Sequence, residues 1–225
     1  MSRVPDRFAA AFGDWTPRAV VFDCDGLLLD TESVWQNAQD TVVAAHGAEI
    51  SPEDDAVLHG STIEVAAELI ARRARHDEQE VLADLHREFD RELAGEVRTL
   101  PGAAEVLRAA SAKLPLGCAS NSWLEALDHK LVIGGLRDFF TVLEASDTVE
   151  RPKPAPDMYA AAARSLGQRP EDCLALEDSG TGARAARDAG LRLLAVPAPG
   201  HPVPPADLAL TSLTDPDLAA WIASW

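Results

Sequence analysis

Several short apolar runs, none alternating with polar residues, constrain this chain more than any other feature. Arg18 to Phe22 (RAVVF), Leu114 to Ala119 (LPLGCA), Thr141 to Ala145, Cys173 to Leu176 (CLAL) and Leu191 to Val196 (LRLLAV) have strand length, and Ala206 to Leu210 is a further short candidate. A strand with one wet face alternates, whereas a strand covered on both faces does not. Helical patterns separate the runs at Ala103 to Ala112, Trp123 to Ile133, Pro156 to Leu166 and Thr181 to Ala189. Gly134-Gly135, Gly167 and Gly190 stand where three of these helices should stop. Strand, helix and strand again implies right-handed crossovers and an α/β fold with a doubly wound parallel sheet.

From about Ser33 to Glu96 this rhythm breaks. The stretch carries no convincing strand, and its helical patterns cover Ser33 to Ala45, Thr62 to Ala74 and Asp77 to Ala94. In the last of these Val81, Leu85, Phe89 and Leu93 recur every four residues beside Leu82, which makes one apolar stripe. Residues 33–96 therefore read as an α-helical cap domain inserted after the first strand, with residues 1–32 and 97–225 as the core domain. Thr99 to Leu107 (TLPGAAEVL) marks the return to the core. The segment before Arg18 reads as a short helix packed on the core, and Pro197 to Pro205 as an exposed loop.

Composition narrows the function classes. A length of 225 residues suffices for a core domain with a small companion. The formal net charge of -17, with no basic stripe, argues against nucleic acid and anionic membrane surfaces as partners. No apolar run approaches the roughly 20 residues of a membrane span, and the first residues lack the pattern of a secretory signal, so the expectation is a cytoplasmic protein. Cys24, Cys118 and Cys173 are odd in number and form no Cys-x-x-Cys pair, so they read as core residues and not as a disulfide framework. On so acidic a chain an anionic substrate needs a local positive site.

Four clusters at the carboxyl ends of the strands could form one, since doubly wound sheets bind their ligands there. Asp23-Cys24-Asp25-Gly26 ends the first strand with two carboxylates one residue apart. Such a pair can divide labour between nucleophile and acid/base, and carboxylates with phosphate oxygens suit Mg²⁺. A solvated acidic turn is the plain alternative. Ser120-Asn121-Ser122 offers a hydroxyl and main-chain N–H groups to a phosphate, although helix capping also explains it. Lys153, between Pro152 and Pro154, is a cation on a stiff backbone that could neutralise a phosphoryl group. Glu177-Asp178, leading into Ser179-Gly180, adds candidate metal ligands or merely a cap.

In this order the motifs resemble the haloacid dehalogenase-like (HAD) hydrolase superfamily, over most of the chain. DCDGLLLDTE (Asp23 to Glu32), Ser120, Lys153 and Glu177-Asp178 match its four motifs, and the helical insertion is similar to the cap of the β-phosphoglucomutase-like branch. The resemblance implies a Rossmann-like core and a Mg²⁺-dependent phosphatase working through an aspartyl-phosphate on a small phosphorylated metabolite such as a sugar or polyol phosphate. It makes Asp23 the nucleophile and a metal ligand, and Asp25 the acid/base with a main-chain contact to the metal. Ser120, with the Asn121 main chain, would hold the phosphoryl oxygens, and Lys153 would bridge nucleophile and phosphate. Asp178, helped by Glu177, would complete the metal site. Gly26 and the cap residues Trp35 and His59 join the candidate substrate contacts. Asp25 argues against dehalogenase and phosphonate-cleaving activity. A phosphomutase is the alternative reaction, but Trp35 and Ile63 stand where the mutases carry a histidine and an arginine. A non-catalytic phosphate-binding regulator is the alternative outside catalysis.

Overall fold

The computed structural model describes residues 4–58, 63–93, 95 and 97–225. In chain order they form α1 (Asp6–Phe12), β1 (Ala19–Phe22), α2 (Thr31–His46), α3 (Pro52–Leu58), α4 (Ile63–Ala74) and α5 (Glu78–Leu93). There follow α6 (Ala103–Ser111), β2 (Leu116–Ala119), α7 (Leu124–Ile133), β3 (Val142–Glu144), α8 (Asp157–Ser165) and β4 (Cys173–Glu177). The chain closes with α9 (Gly180–Asp188), β5 (Arg192–Ala195), β6 (Leu208–Ala209) and α10 (Pro216–Ser224). Two compact units divide it: Met1–Leu29 with Arg98–Trp225, and Asp30–Val97.

The first unit is built on one six-stranded sheet in the order β3-β2-β1-β4-β5-β6, with every paired strand parallel. This is the α/β, doubly wound parallel sheet expected of the apolar runs and the Rossmann-like core that the family resemblance implied. β1, β2 and β4 are buried at every residue, which is why their sequences do not alternate. The chain leaves β1 toward β2 on one side and returns to β4 on the other, so the order reverses at β1. The carboxyl end of β1 is the switch point where such sheets open a crevice.

An alanine-rich layer lets α8 and α9 lie close to the sheet: Ala162, Ala163, Ala183, Ala185 and Ala186 pack with Val21, Ala175 and Leu193 in one buried cluster. The three cysteines are free and buried. The sequence pattern missed α10. Its nine residues are too few for periodicity, but Asp215 caps it by accepting from the Asp217 N–H at 2.9 Å, with Pro216 at the first turn. Phe8 and Phe12 of α1 each stack on Trp221 of α10 with ring centroids 4.7 Å apart, which ties the two ends of the described chain together.

The second unit is wholly helical in its described residues. Its core comprises Val42, Leu58, Ala66, Ala67, Leu69, Ile70, Ala71, Val81 and Leu85. The stripe of α5 points into it through Val81 and Leu85. Helix α3 was absent from the sequence pattern because seven residues carry no usable period. Its start is nonetheless written in Ser51 and Asp54, whose side chains and main-chain N–H groups bond reciprocally at 3.0 and 3.2 Å.

Candidate active site

Asp23 follows β1 directly, and its N–H still donates to Leu176 O at 2.9 Å, so the sheet ladder fixes the backbone that carries it. Its side chain is buried and faces Lys153, whose ammonium donates to Asp23 Oδ1 and to Glu177 Oε1, both at 2.5 Å. Glu177 is fully buried. Its Oε1 also accepts from Tyr159 OH at 2.7 Å, and its Oε2 accepts from Ser179 Oγ at 3.0 Å and from the Ser179 N–H at 3.3 Å. A β-carbon on Gly182 would fall 1.7 Å from Glu177 Oε1, so only glycine lets the carboxylate lie over the start of α9. Asn121 clamps the main chain of Lys153: its Nδ2 donates to Lys153 O at 3.1 Å and its Oδ1 accepts from the Lys153 N–H at 3.0 Å.

Electrostatics in this pocket follow from burial. Desolvation pushes the Asp23 carboxyl well above its usual range; Lys153 opposes this, and Glu177 and Asp178 add to it. Burial alone would lower Lys153, but Asp23 and Glu177 hold it above its ordinary value. Burial, followed by the charge of Glu177, pushes Asp178 up to about 7 and raises the Tyr159 hydroxyl well above its usual range.

Asp25 sits in a different setting. Its side chain is 34% exposed and is held from two sides. Ser120 Oγ donates to Oδ2 at 2.7 Å and Ser122 Oγ at 3.3 Å, while Lys130 Nζ donates to Oδ1 at 2.5 Å. Lys130, on α7, did not emerge from the sequence, where it is one lysine within a helical pattern. Tyr159 was hidden in the same way on α8. Ser120 Oγ also accepts from the Ser122 N–H at 3.1 Å, so the loop after β2 is closed on itself.

A metal can be tested against these atoms. Asp23, Glu177 and Asp178 each offer a carboxylate oxygen, all within 4.8 Å of one another. Hard oxygen donors suit Mg²⁺. Four carboxylates (Asp23, Asp25, Glu177, Asp178) face two ammonium groups (Lys153, Lys130). A divalent cation held by Asp23 and Asp178 would offset the crowding of carboxylates that, with burial, raises both of them. Both oxygens of Glu177 already accept hydrogen bonds, which makes Asp23 and Asp178 the freer donors.

Gly26 has φ +80°, and a β-carbon there would meet Asp178 Oδ2 at 2.3 Å, so its lack of a side chain makes room for that carboxylate. Trp35 packs edge-on against Phe89 within the helical unit, with centroids 5.5 Å apart. His59 lies outside the described residues.

Comparison with known proteins places these residues in context. A family model described as haloacid dehalogenase-like hydrolase matches residues 17–190. Hexitol phosphatase B of Escherichia coli (strain K12) is 35% identical over 212 residues, covering 89% of this chain and 96% of that protein. The fructose-1-phosphate phosphatase YqaB of the same strain is 30% identical over 174 residues, covering 76% of this chain and 92% of its own. The crystal structure of CbbY from Rhodobacter sphaeroides in complex with phosphate superposes with a TM-score of 0.69 at 31% identity, covering 89% of this chain and 96% of that one.

Proposed function

The chain belongs to the haloacid dehalogenase-like hydrolase family and is a phosphoric monoester hydrolase, and from that premise we propose that it hydrolyses small sugar or polyol phosphates through phosphorylated Asp23. The observation that carries this reading is the pairing of a buried Asp23 with Lys153 at 2.5 Å, two residues before an Asp25 bonded to Ser120. The substrate class rests on likeness to hexitol phosphatase B and the fructose-1-phosphate phosphatase.

In this mechanism an Asp23 oxygen attacks phosphorus, and the ester oxygen leaves with a proton from Asp25. Water then attacks the phosphorus of phospho-Asp23, gives its proton to Asp25, and releases inorganic phosphate. Ser120 Oγ and the main-chain N–H groups after it orient the phosphoryl oxygens. Lys153 neutralises charge on the nucleophile and on the transferring group. Glu177 and Tyr159 position Lys153. Asp23 and Asp178, with the Asp25 carbonyl, would hold Mg²⁺, which when bound neutralises phosphoryl charge. Trp35 and Ile63, standing where the mutases carry a histidine and an arginine, favour water over a sugar as final acceptor.

The test is phosphate release from a panel of small phosphate monoesters, with Mg²⁺ and then with EDTA. Release that depends on the metal is the expected result. Bisphosphate-primed isomerisation without free phosphate would instead establish the mutase.

A further inference from the structure

We propose that Lys130 is a positioning residue for Asp25, holding its carboxylate ready to accept the proton of water when phospho-Asp23 is hydrolysed. The inference rests on the reading of Asp23 and Asp25 above. Among the described residues the buried lysines are Lys130, 3% exposed, and Lys153, 7% exposed, and both face carboxylates of the site. Lys130 occupies the apolar face of α7 between Leu127 and Leu131, which are fully buried. A leucine or methionine would fill that face without desolvating a charge, so packing does not account for a lysine there.

What it does there is visible in its bonds. Lys130 Nζ donates to Asp25 Oδ1 at 2.5 Å and to Ser122 Oγ at 2.7 Å, and Ser122 Oγ in turn donates to Asp25 Oδ2 at 3.3 Å. One ammonium therefore holds both Asp25 oxygens, one directly and one through a hydroxyl. Ser120 also donates to Oδ2, but it has a single hydroxyl proton and cannot give it to Asp25 and to a phosphoryl oxygen together. Once Ser120 turns to the phosphoryl group, the Lys130–Ser122 pair remains on Asp25.

All three groups present donors, so this pose makes Asp25 an acceptor. The half-reaction that needs an acceptor is hydrolysis. Water oxygen bonds to phosphorus, its proton passes to Asp25, and the bond to Asp23 breaks with its electron pair returning to the Asp23 carboxylate.

The experiment phosphorylates the full chain with radiolabelled acetyl phosphate and Mg²⁺. Acetate leaves without a donated proton, so label uptake does not depend on Asp25 as an acid. Decay of acid-stable label is followed after the donor is removed. In Lys130→Met, decay should slow at least about tenfold while uptake stays within about threefold, and Lys130→Arg should recover part of the loss. Steady-state kcat and KM should fall together in Lys130→Met. Its thermal midpoint should fall by no more than a few degrees, because the Asp25 left without its cation is 34% exposed and keeps both serine hydroxyls. Wild-type decay in Lys130→Met, or uptake slowed as much as decay, would overturn the role. Lys130→Gln, which also removes the charge, carries the same comparison if Lys130→Met fails to fold. Absence of label from the wild type would instead refute the aspartyl-phosphate reading itself.

Discussion

Two carboxylates, two residues apart in sequence, are held by two lysines in opposite ways. On the Asp23 side the charged groups and Tyr159 are buried: Lys153 bridges two carboxylates, Tyr159 and the half-buried Ser179 complete Glu177, and Asn121, itself exposed, fixes the lysine backbone. On the Asp25 side the carboxylate reaches solvent, and one lysine with two serines holds it. The difference matches the two chemical tasks. A nucleophile must stay in one place and bear charge in a dry pocket, where preorganised partners count most. An acid/base must exchange protons with solvent and substrate, so it needs orientation without enclosure.

Breaking the Asp23 side should have the largest consequences. Asp23→Asn should lower phosphate release by at least about a thousandfold with the fold retained, since an amide cannot supply an anionic nucleophile. Turnover near wild type, measured alongside circular dichroism, would end the assignment.

Lys153→Met should cost about 3–5 kcal/mol of stability, because it strands Asp23 and Glu177 in a buried pocket with no cation. Denaturant unfolding reads this directly. If Lys153→Met and Lys130→Met destabilise equally, the contrast drawn above between the two lysines fails.

The metal-free protein offers a pH test of the same pocket. Burial and Glu177 push the Asp178 carboxyl up to about 7, whereas its ordinary value is 3.8. Between those values the folded chain keeps a proton that the unfolded chain has lost, so folding is weakened as pH rises through this window. In EDTA the thermal midpoint should be higher near pH 5 than near pH 7.5, and saturating Mg²⁺ should flatten the difference. A midpoint rising across that interval in EDTA would contradict the crowding of carboxylates.

The smallest effect sharpens the comparison further. Tyr159→Phe removes one hydroxyl from Glu177 Oε1 and should cost about 1–2 kcal/mol. Its kcat should fall only a few-fold, because Ser179 and Lys153 still hold Glu177.

Sequence alone determined the doubly wound sheet and the strand ends that carry Asp23, Asp25, Ser120, Lys153 and Glu177-Asp178. Those signals are local: an unbroken apolar run specifies a covered strand, and the residues just past it must lie at its carboxyl end. The start of α3 was equally local in Ser51 and Asp54, but it was too brief for periodicity to detect. Partnership between side chains was decided only in the tertiary structure. Lys130 is 105 residues from Asp25, and Tyr159 is 18 from Glu177, each inside a helix whose pattern suits packing alone. Which of its bonds a buried charge makes depends on the desolvation that packing imposes, and no stretch of chain contains that quantity.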